Sequence, residues 1–418
     1  MLDYAILRES PDKIKKALRS KHVALDLEKL GQLDEARRAL IAMVDGMRAQ
    51  QREFNNKVDS LSPADREQGL AGMKALSLTL GSKEKELQDI EEKFNYLWLQ
   101  VPNIPADDVP EGSSDAENRE IKNWKEKPKF SFKPQSHEEL VKHLDLADID
   151  RAVKVAGAKF YYLKNKMVIL EMAVLRMAMD ILMENGLVPL TVPDLVRREI
   201  MYGAAHFPPE DDTYRLPKDD LYLAGTAEVG LAGYHMGELI ESKDLPLRYG
   251  GFSACFRREA GGYGKKGSGL YRVHQFHKIE MFVLCLPEKS EEEHEKLLAI
   301  SEEIMQKLDL PYRVVLNCGG DLGLPQYKKY DIEAWIPTTS GWGETHSCSN
   351  DTDYQARRLG IKFRLPDGKT GFVHTLNNTA IASPRVLIPL LEIHQQKDGS
   401  IRIPDALAAY TGFDTIKK

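Results

Sequence analysis

Cysteine is scarce and dispersed in this chain: Cys255, Cys285, Cys318 and Cys348 lie about thirty residues apart and never pair as C-x-x-C. That spacing argues against a disulfide framework and a zinc ribbon, and leaves buried free thiols as the expectation. Long apolar runs are absent as well, and none approaches the roughly twenty residues needed to span a bilayer. The first residues, Met1 to Lys21, mix Asp3, Glu9 and Asp12 with lysines where a signal peptide would have an apolar centre. A cytoplasmic protein without a membrane partner is expected. An excess of positive charge is missing too. The net charge is −6 over 418 residues, so any RNA must be held by local patches rather than by a basic domain.

What the chain does have is a pair of heptad seams. Leu30, Leu33, Leu40, Val44, Met47, Phe54, Val58 and Leu61 alternate by threes and fours, broken by Arg37 and Gln51. Ser62-Pro63 and a polar stretch to Gly72 interrupt the pattern. It resumes at Met73, Leu76, Leu80, Leu87, Ile90, Phe94, Leu97 and Val101. Two stripes of similar length around a turn can bury each other, which predicts an antiparallel two-helix coiled-coil arm roughly 45 Å long. Such a rod has little core and no pocket, so its use is reach. A dimerising coiled coil is the plainer alternative.

Pro102-Asn103-Ile104-Pro105 ends the second helix, and a Pro-, Gly- and acid-rich linker follows to about Lys133. Beyond it, helical patterns (Ser136 to His143, Val168 to Asn185) alternate with strand-like runs at Asp220 to Leu223, Phe276 to Leu286, Tyr312 to Asn317, Tyr330 to Trp335 and Gly371 to Leu376. The expectation is an α+β domain around one sheet. The predicted divisions are 1–104 for the arm-bearing domain, 105–133 for the linker and 134–418 for the catalytic domain.

Chemistry concentrates after Phe252. An arginine-acid cluster, Arg257-Arg258-Glu259, leads into a loop with Lys265, Lys266 and five glycines, then into a strand bearing Arg272, Phe276 and Glu280. A plain hairpin has no use for that tip, whereas a loop closing over a phosphate or an RNA end gains from backbone freedom and positive charge. Arg257, placed within a strand, offers a planar fork for a pair of phosphate oxygens. A salt bridge from Arg257 to Glu259 or Glu280 is the structural alternative.

The stretch Phe256 to Glu280 resembles motif 2 of the class II aminoacyl-tRNA synthetases, in the FR-x-E, loop, R-V-H-Q-F-x-K-x-E form of the seryl-tRNA synthetase family. Further resemblances follow in order: Gly186 to Val196 with motif 1, Pro193 being its proline; Gly225 to Glu228 with the T-x-E element; Glu344 to Arg358 with the strand of ATP and metal contacts; His374 to Glu392 with motif 3, including Arg385. The N-terminal eighteen residues and the linker VPNIPADDVPEG resemble the family as well.

The resemblance implies a class II antiparallel sheet flanked by helices, and a ligase that activates L-serine with ATP before loading tRNA(Ser). Whether the tRNA for selenocysteine is also charged stays open. It implies catalytic roles for Arg257, Glu259 and Arg385. Arg257 would clamp the α-phosphate, Glu259 would meet the adenine amino group, Phe276 would stack on the ring, and Arg272 and Arg385 would reach the outer phosphates. Arg258, Val273, Thr345 and His346 complete the implied ATP contacts. Glu344 and Ser347 would contact ATP and hold Mg²⁺, a sparse set suited to an ion that keeps waters and phosphate oxygens. Glu344 pairing with Arg257 or Arg385 is the plainer reading. The serine pocket would comprise Thr226, Ala227, Glu228, Arg257, Glu280 and Thr379. Two carboxylates beside a hydroxyl suit a small polar substrate. Motif 1 implies a homodimer, and the arm implies tRNA contact through a few basic residues, with Arg37, Arg38, Arg48 and Arg52 as candidates.

Some positions depart from the family. Asn378, Ala380 and Pro384 stand where many relatives have glycine, and His346 where serine is common. Asn378 is expected to tolerate a turn geometry, and Pro384 to fit at a helix start. Three alternatives stand beside this reading: a relative loading a carrier protein, a catalytically silent tRNA-binding paralogue, and a dimerising scaffold. The arm counts against the first, the retained charged residues against the second, and the motif region against the third.

Overall fold

The computed structural model describes residues 1–207, 210, 212–259 and 269–418. The expected phosphate- or RNA-closing loop with Lys265 and Lys266 lies outside the described residues. The chain divides into two compact units, Asp3–Pro102 and Met1–Leu2 with Asn103–Lys418.

In the smaller unit, short helices Ala5–Glu9 and Pro11–Ser20 precede α1 (Leu27–Lys57, 31 residues) and α2 (Pro63–Trp98, 36 residues). Each long helix starts where a side chain accepts an otherwise unsatisfied backbone N–H: Asp26 from Lys29, and Ser62 from Asp65 with Pro63 in the first turn. The apolar stripes bury Leu30, Leu40 and Val44 on α1 and Leu80, Phe94 and Trp98 on α2. Two details differ from the heptad reading. The polar stretch to Gly72 interrupts the seam but not the helix: it belongs to α2, because exposed Ala, Arg, Glu and Gln residues sustain a helix without an apolar stripe. Trp98 rather than Leu97 fills the seam's end, stacked on Phe94 with Tyr4 at their edge. Arg37 does not merely interrupt the seam. Its guanidinium lies over Tyr4 and Phe94 and bonds the buried Asp34, which Arg8 and Arg38 also bind.

The larger unit is built on an eight-stranded sheet. Its strands are β1 (Arg119–Trp124), β2 (Val188–Thr191), β3 (Leu247–Phe256), β4 (Gln275–Cys285), β5 (Tyr312–Leu316), β6 (Lys328–Ile336), β7 (Gly341–Thr352) and β8 (His374–Ser383). Their order is β1-β5-β6-β7-β8-β4-β3-β2, antiparallel throughout except for the β2–β3 pair. Helices α3 (Lys166–Glu184), α6 (Ser290–Lys307) and α8 (Leu387–His394) contribute to the main hydrophobic core; α4 (Arg198–Gly203), α5 (Ala227–Gly233) and α7 (Tyr354–Leu359) contribute to a second.

Strand alternation sorts the central strands between these two environments. On β4, Ile279, Met281 and Val283 enter the main core, while Phe282 and Leu284 enter the second. Phe276, Lys278 and Glu280 share the parity of the second set, and they border a cavity. The antiparallel sheet flanked by helices agrees with the expectation. The run Gly371 to Leu376 does not form one strand. Thr370–Phe372 pairs with Lys362–Arg364 in a small separate sheet, and the main sheet takes up the chain at His374. Asn378 sits inside β8 rather than in a turn, and its Nδ2 donates to the Leu297 carbonyl and to Ser301 Oγ. Pro384 precedes α8 in a turn and accepts from Leu387 N instead of opening the helix.

Candidate active site

A cavity of about 220 Å³ opens where β4, β7 and β8 present their polar faces. Arginines and the aromatic Phe276 mark one part of its wall, and buried carboxylates and hydroxyls mark another.

Arg257 follows the end of β3 rather than lying within it. Pairing nevertheless continues: Arg257 N donates to the His274 carbonyl, and His274 Nδ1 lies 2.9 Å from the Arg257 carbonyl oxygen. The guanidinium is fixed by Nε donating to Gly225 O at 3.2 Å and by lying over the Phe276 ring at 5.3 Å. Glu259, with φ +50, accepts from Arg272 Nη1 at 2.8 Å. Arg385 rests over the Tyr271 ring at 4.9 Å, and its Nη1 lies 3.3 Å from Glu344 Oε1. Burial pushes the Glu344 carboxyl upward, but Arg385, Lys329 and Arg257 outweigh it and hold the group below its usual range. The partner of Glu344 is thus Arg385.

Thr226 caps α5, its hydroxyl oxygen accepting from Glu228 N at 3.2 Å. Glu228 Oε1 accepts from Gln355 Nε2 at 2.8 Å, and Oε2 lies 3.6 Å from His206 Nε2. Burial raises the Glu228 carboxyl, yet His206, Lys278 and Gln355 together keep it below the ordinary carboxylate range. Glu280 shifts the other way. Burial raises it despite Lys278 Nζ at 2.5 Å, and Glu228 adds to the rise. Thr379 Oγ1 lies 3.4 Å from Glu280 Oε2. Two carboxylates in one small cavity with opposite shifts are characteristic of functional sites.

Of the residues singled out in the sequence, Arg257, Glu259, Val273, Phe276 and Arg385 border the cavity, as do Glu344, Thr345 and Ser347. So do Thr226, Glu228, Glu280 and Thr379. Four others stand back from the lining. Ala227 is buried as the first residue of α5. Arg272 reaches Glu259, and the Arg258 guanidinium lies over Tyr214. His346 turns into the protein, with Nδ1 2.8 Å from Thr345 Oγ1 and Nε2 3.0 Å from the Ala380 carbonyl. The anhydrous surroundings lower its pKa to about 4, so it stays neutral near pH 7.

Sequence reasoning missed Lys278, Tyr271 and His206, which also line the cavity. Lys278 was recoverable, since it stands two residues before Glu280 on the same strand and must share its face. His206 carried no local signal. On the arm, Arg37 and Arg38 bind Asp34 and Arg48 binds Glu84 at 2.8 Å, while Arg52 is exposed.

Family models agree with this geometry over most of the chain. Residues 1–105 match the seryl-tRNA synthetase N-terminal domain, and 212–394 match the class II tRNA synthetase core domain of the G, H, P, S and T group. A serine–tRNA ligase of Treponema denticola is 43% identical over 421 residues, covering 100% of both chains. One from Dictyoglomus turgidum is 45% identical, covering 100% of this chain and 99% of its own. The crystal structure of seryl-tRNA synthetase from Pyrococcus horikoshii complexed with ATP superposes with a TM-score of 0.91 at 40% identity, over 100% of this chain and 99% of that one. The chain belongs to the seryl-tRNA synthetase family of class II aminoacyl-tRNA synthetases.

Proposed function

We propose that this chain activates L-serine with ATP and transfers the seryl group to the 3′ end of tRNA(Ser). One observation carries the reading: Arg257, Arg385 and Glu344 share a single cavity with Glu228, Glu280 and Thr379. A triphosphate and a small amino acid can therefore be held side by side. In the first step a serine carboxylate oxygen attacks the α-phosphorus, a P–O bond forms, and the bond to the β-phosphate oxygen breaks to release pyrophosphate. No general base is needed, because the attacking oxygen is already anionic. Positioning and charge neutralisation supply the acceleration. Arg257 neutralises the α-phosphate, Phe276 stacks on adenine with Glu259 accepting from its amino group, and Arg385 meets the outer phosphates. In the second step a hydroxyl of the terminal ribose attacks the seryl carbonyl: the ester C–O bond forms, the C–O bond to the phosphate breaks, and AMP leaves with the bonding electrons while a phosphate oxygen takes up the hydroxyl proton.

The serine ammonium is met by ionised Glu228, and the hydroxyl by Glu280 and Thr379. A site built to satisfy that hydroxyl rejects alanine strongly, since its buried polar groups would otherwise lack partners. Mg²⁺ fits the wall formed by Glu344 and Ser347. Among the described residues no group of three or more His, Cys, Asp or Glu forms a metal cage, as suits an ion bound chiefly by phosphates and waters. When bound, it supplies positive charge to the pyrophosphate leaving group.

The arm carries tRNA(Ser) through shape and phosphate contacts, with exposed Arg52 the freest of the four arginines considered. The match over residues 1–105 to the seryl N-terminal domain gives this reading its support and leaves the carrier-loading, silent and scaffold alternatives without any. The motif 1 resemblance supports a homodimer, as do exposed apolar side chains in and before that segment: Val188 on β2, and Ile169, Met172 and Met183 on α3. The enzyme works in the cytoplasm. Among the described residues no helix is long and apolar enough to cross a membrane.

The test is amino-acid-dependent exchange of pyrophosphate into ATP, screened over all twenty amino acids. Serine alone should support rapid exchange; exchange with another amino acid, or with none, would overturn the reading.

A further inference from the structure

We propose that His206 is a positioning residue of the amino-acid pocket, orienting Glu228 so that a free carboxylate oxygen faces the incoming ammonium group. The inference rests on the serine-activating reading and names a residue outside the implied serine set.

The observations come from three parts of the fold meeting at one carboxylate. Gln355 on α7 donates its Nε2 to Glu228 Oε1 at 2.8 Å, and the same nitrogen donates to the Ala204 carbonyl at 3.1 Å, just beyond α4. Gln355 is fully buried. One carboxylate oxygen is thereby fixed by an amide that also ties down the turn carrying His206. That turn reverses at Ala205, whose φ of +62 is left-handed, and His206 N then donates to the Met201 carbonyl. Phe207 anchors the far side, fully buried in edge contacts with Tyr202 and Tyr222. The backbone is thus anchored at His206 and beside it, and the imidazole Nε2 comes 3.6 Å from Glu228 Oε2.

That distance exceeds a hydrogen bond, yet it is too short for a further protein group to intervene. His206 lines the cavity with a third of its side chain exposed, whereas the Glu228 side chain is 13% exposed. A buried carboxylate with one oxygen bonded and the other open would be free to rotate about its terminal torsion. With an imidazole against the second oxygen, rotation is blocked and the remaining lone pairs point into the cavity. Lys278 is bound to Glu280 at 2.5 Å, whereas the hydrogen-bond partner of Glu228 is the neutral Gln355 amide, which leaves Glu228 as the carboxylate to meet an ammonium group. A histidine suits the position better than a lysine or arginine, because a permanent cation would cancel that charge before substrate arrives.

The prediction concerns KM for serine rather than kcat or KM for ATP. In steady-state ATP–pyrophosphate exchange with the full-length protein, His206→Ala should raise KM for serine by about tenfold, the scale expected for removing a polar partner from a buried carboxylate. KM for ATP should stay within about twofold, since among the described residues the arginines proposed for the nucleotide make no hydrogen bond or ion pair to this turn. His206→Gln, which restores a polar group of similar reach, should recover serine KM to within about threefold of the original. A merely structural role would shift both KM values, or kcat, without rescue by Gln. An unchanged serine KM in His206→Ala, a parallel rise for ATP, or a His206→Gln as impaired as the alanine variant would each overturn the proposal. If His206→Ala fails to fold, His206→Gln and His206→Asn decide the matter: the shorter Asn amide should leave a serine KM clearly above that of His206→Gln, and equal values in the two would overturn the proposal. Absence of serine-dependent exchange in the unmodified protein would instead overturn the underlying reading.

Discussion

Arg385 Nη1 stands 3.3 Å from Glu344 Oε1 across the cavity wall, and the guanidinium rests on the Tyr271 ring. Each group thus fixes the other at the wall proposed to receive the triphosphate and Mg²⁺. Glu344→Gln removes the charge that would attract Mg²⁺ while keeping the shape of the pair. Exchange activity should fall by about 10²-fold, and the Mg²⁺ concentration for half-maximal exchange should rise. A titration with Mg²⁺ at saturating ATP measures both. An unaltered Mg²⁺ midpoint would remove Glu344 from the metal site.

Arg257 is braced by Gly225 O and the face of Phe276, which orients the guanidinium for its proposed role as the phosphate clamp. Arg257→Ala should lower kcat for exchange by about 10²- to 10³-fold, the loss typical of one donor to a developing negative charge. Arg257→Lys should recover little, because a point charge cannot reproduce the two-pronged contact. Near-normal exchange in the alanine variant would defeat the phosphate-clamp assignment.

Phe94 joins the arm's base to its helices: it is fully buried, stacked on Trp98, edge-on to Tyr4 and beneath Arg37. Phe94→Ala should destabilise that unit by about 3–5 kcal/mol. The cavity belongs to the other compact unit, so exchange should stay within about twofold, while charging of tRNA(Ser) drops severely. Thermal unfolding with both assays on one preparation tests this. Equal losses in exchange and charging would contradict it.

His277 on β4 lies 3.3 Å from Glu171 Oε1 on α3, and the same oxygen accepts from Ser383 Oγ at 2.6 Å. The hydrogen bond to Glu171 raises the His277 pKa above its ordinary 6.5, outweighing burial, with Asp194 contributing. A pKa raised by folding contributes stability in full below about pH 6.5, and that contribution is lost as pH rises through the folded-state value. Glu171→Gln should therefore lower the melting temperature more at pH 6 than at pH 9. A difference independent of pH would show that the imidazolium is not what Glu171 stabilises.

The heptads between Leu30 and Val101 made the arm legible because an exposed two-helix rod has one stripe to bury, and its period is written in the chain. Trp98 escaped that reading. Its place is set by Tyr4, which arrives from outside the repeat. The motif residues from Arg257 to Glu280 were legible for another reason: they carry the resemblance to motif 2, and for Phe276, Lys278 and Glu280 on β4 alternation fixes a shared face. His346 shows where this fails. It stands between cavity residues Thr345 and Ser347, and alternation along β7 directs it to the opposite side, where the Ala380 carbonyl receives it.

The order of charged and apolar residues by itself determined the arm and the sheet-based domain, since periodicity is a local property of the chain, and the family was legible through the resemblance that the motifs carry. Only the tertiary structure decided that Glu344 is paired with Arg385, that the Glu228 and Glu280 carboxyls shift in opposite directions, and that His206 reaches Glu228. Those relations depend on residues far apart in sequence being brought within a few ångströms in a shielded cavity, where weak screening makes distance and burial, rather than residue type, set the charge each group carries.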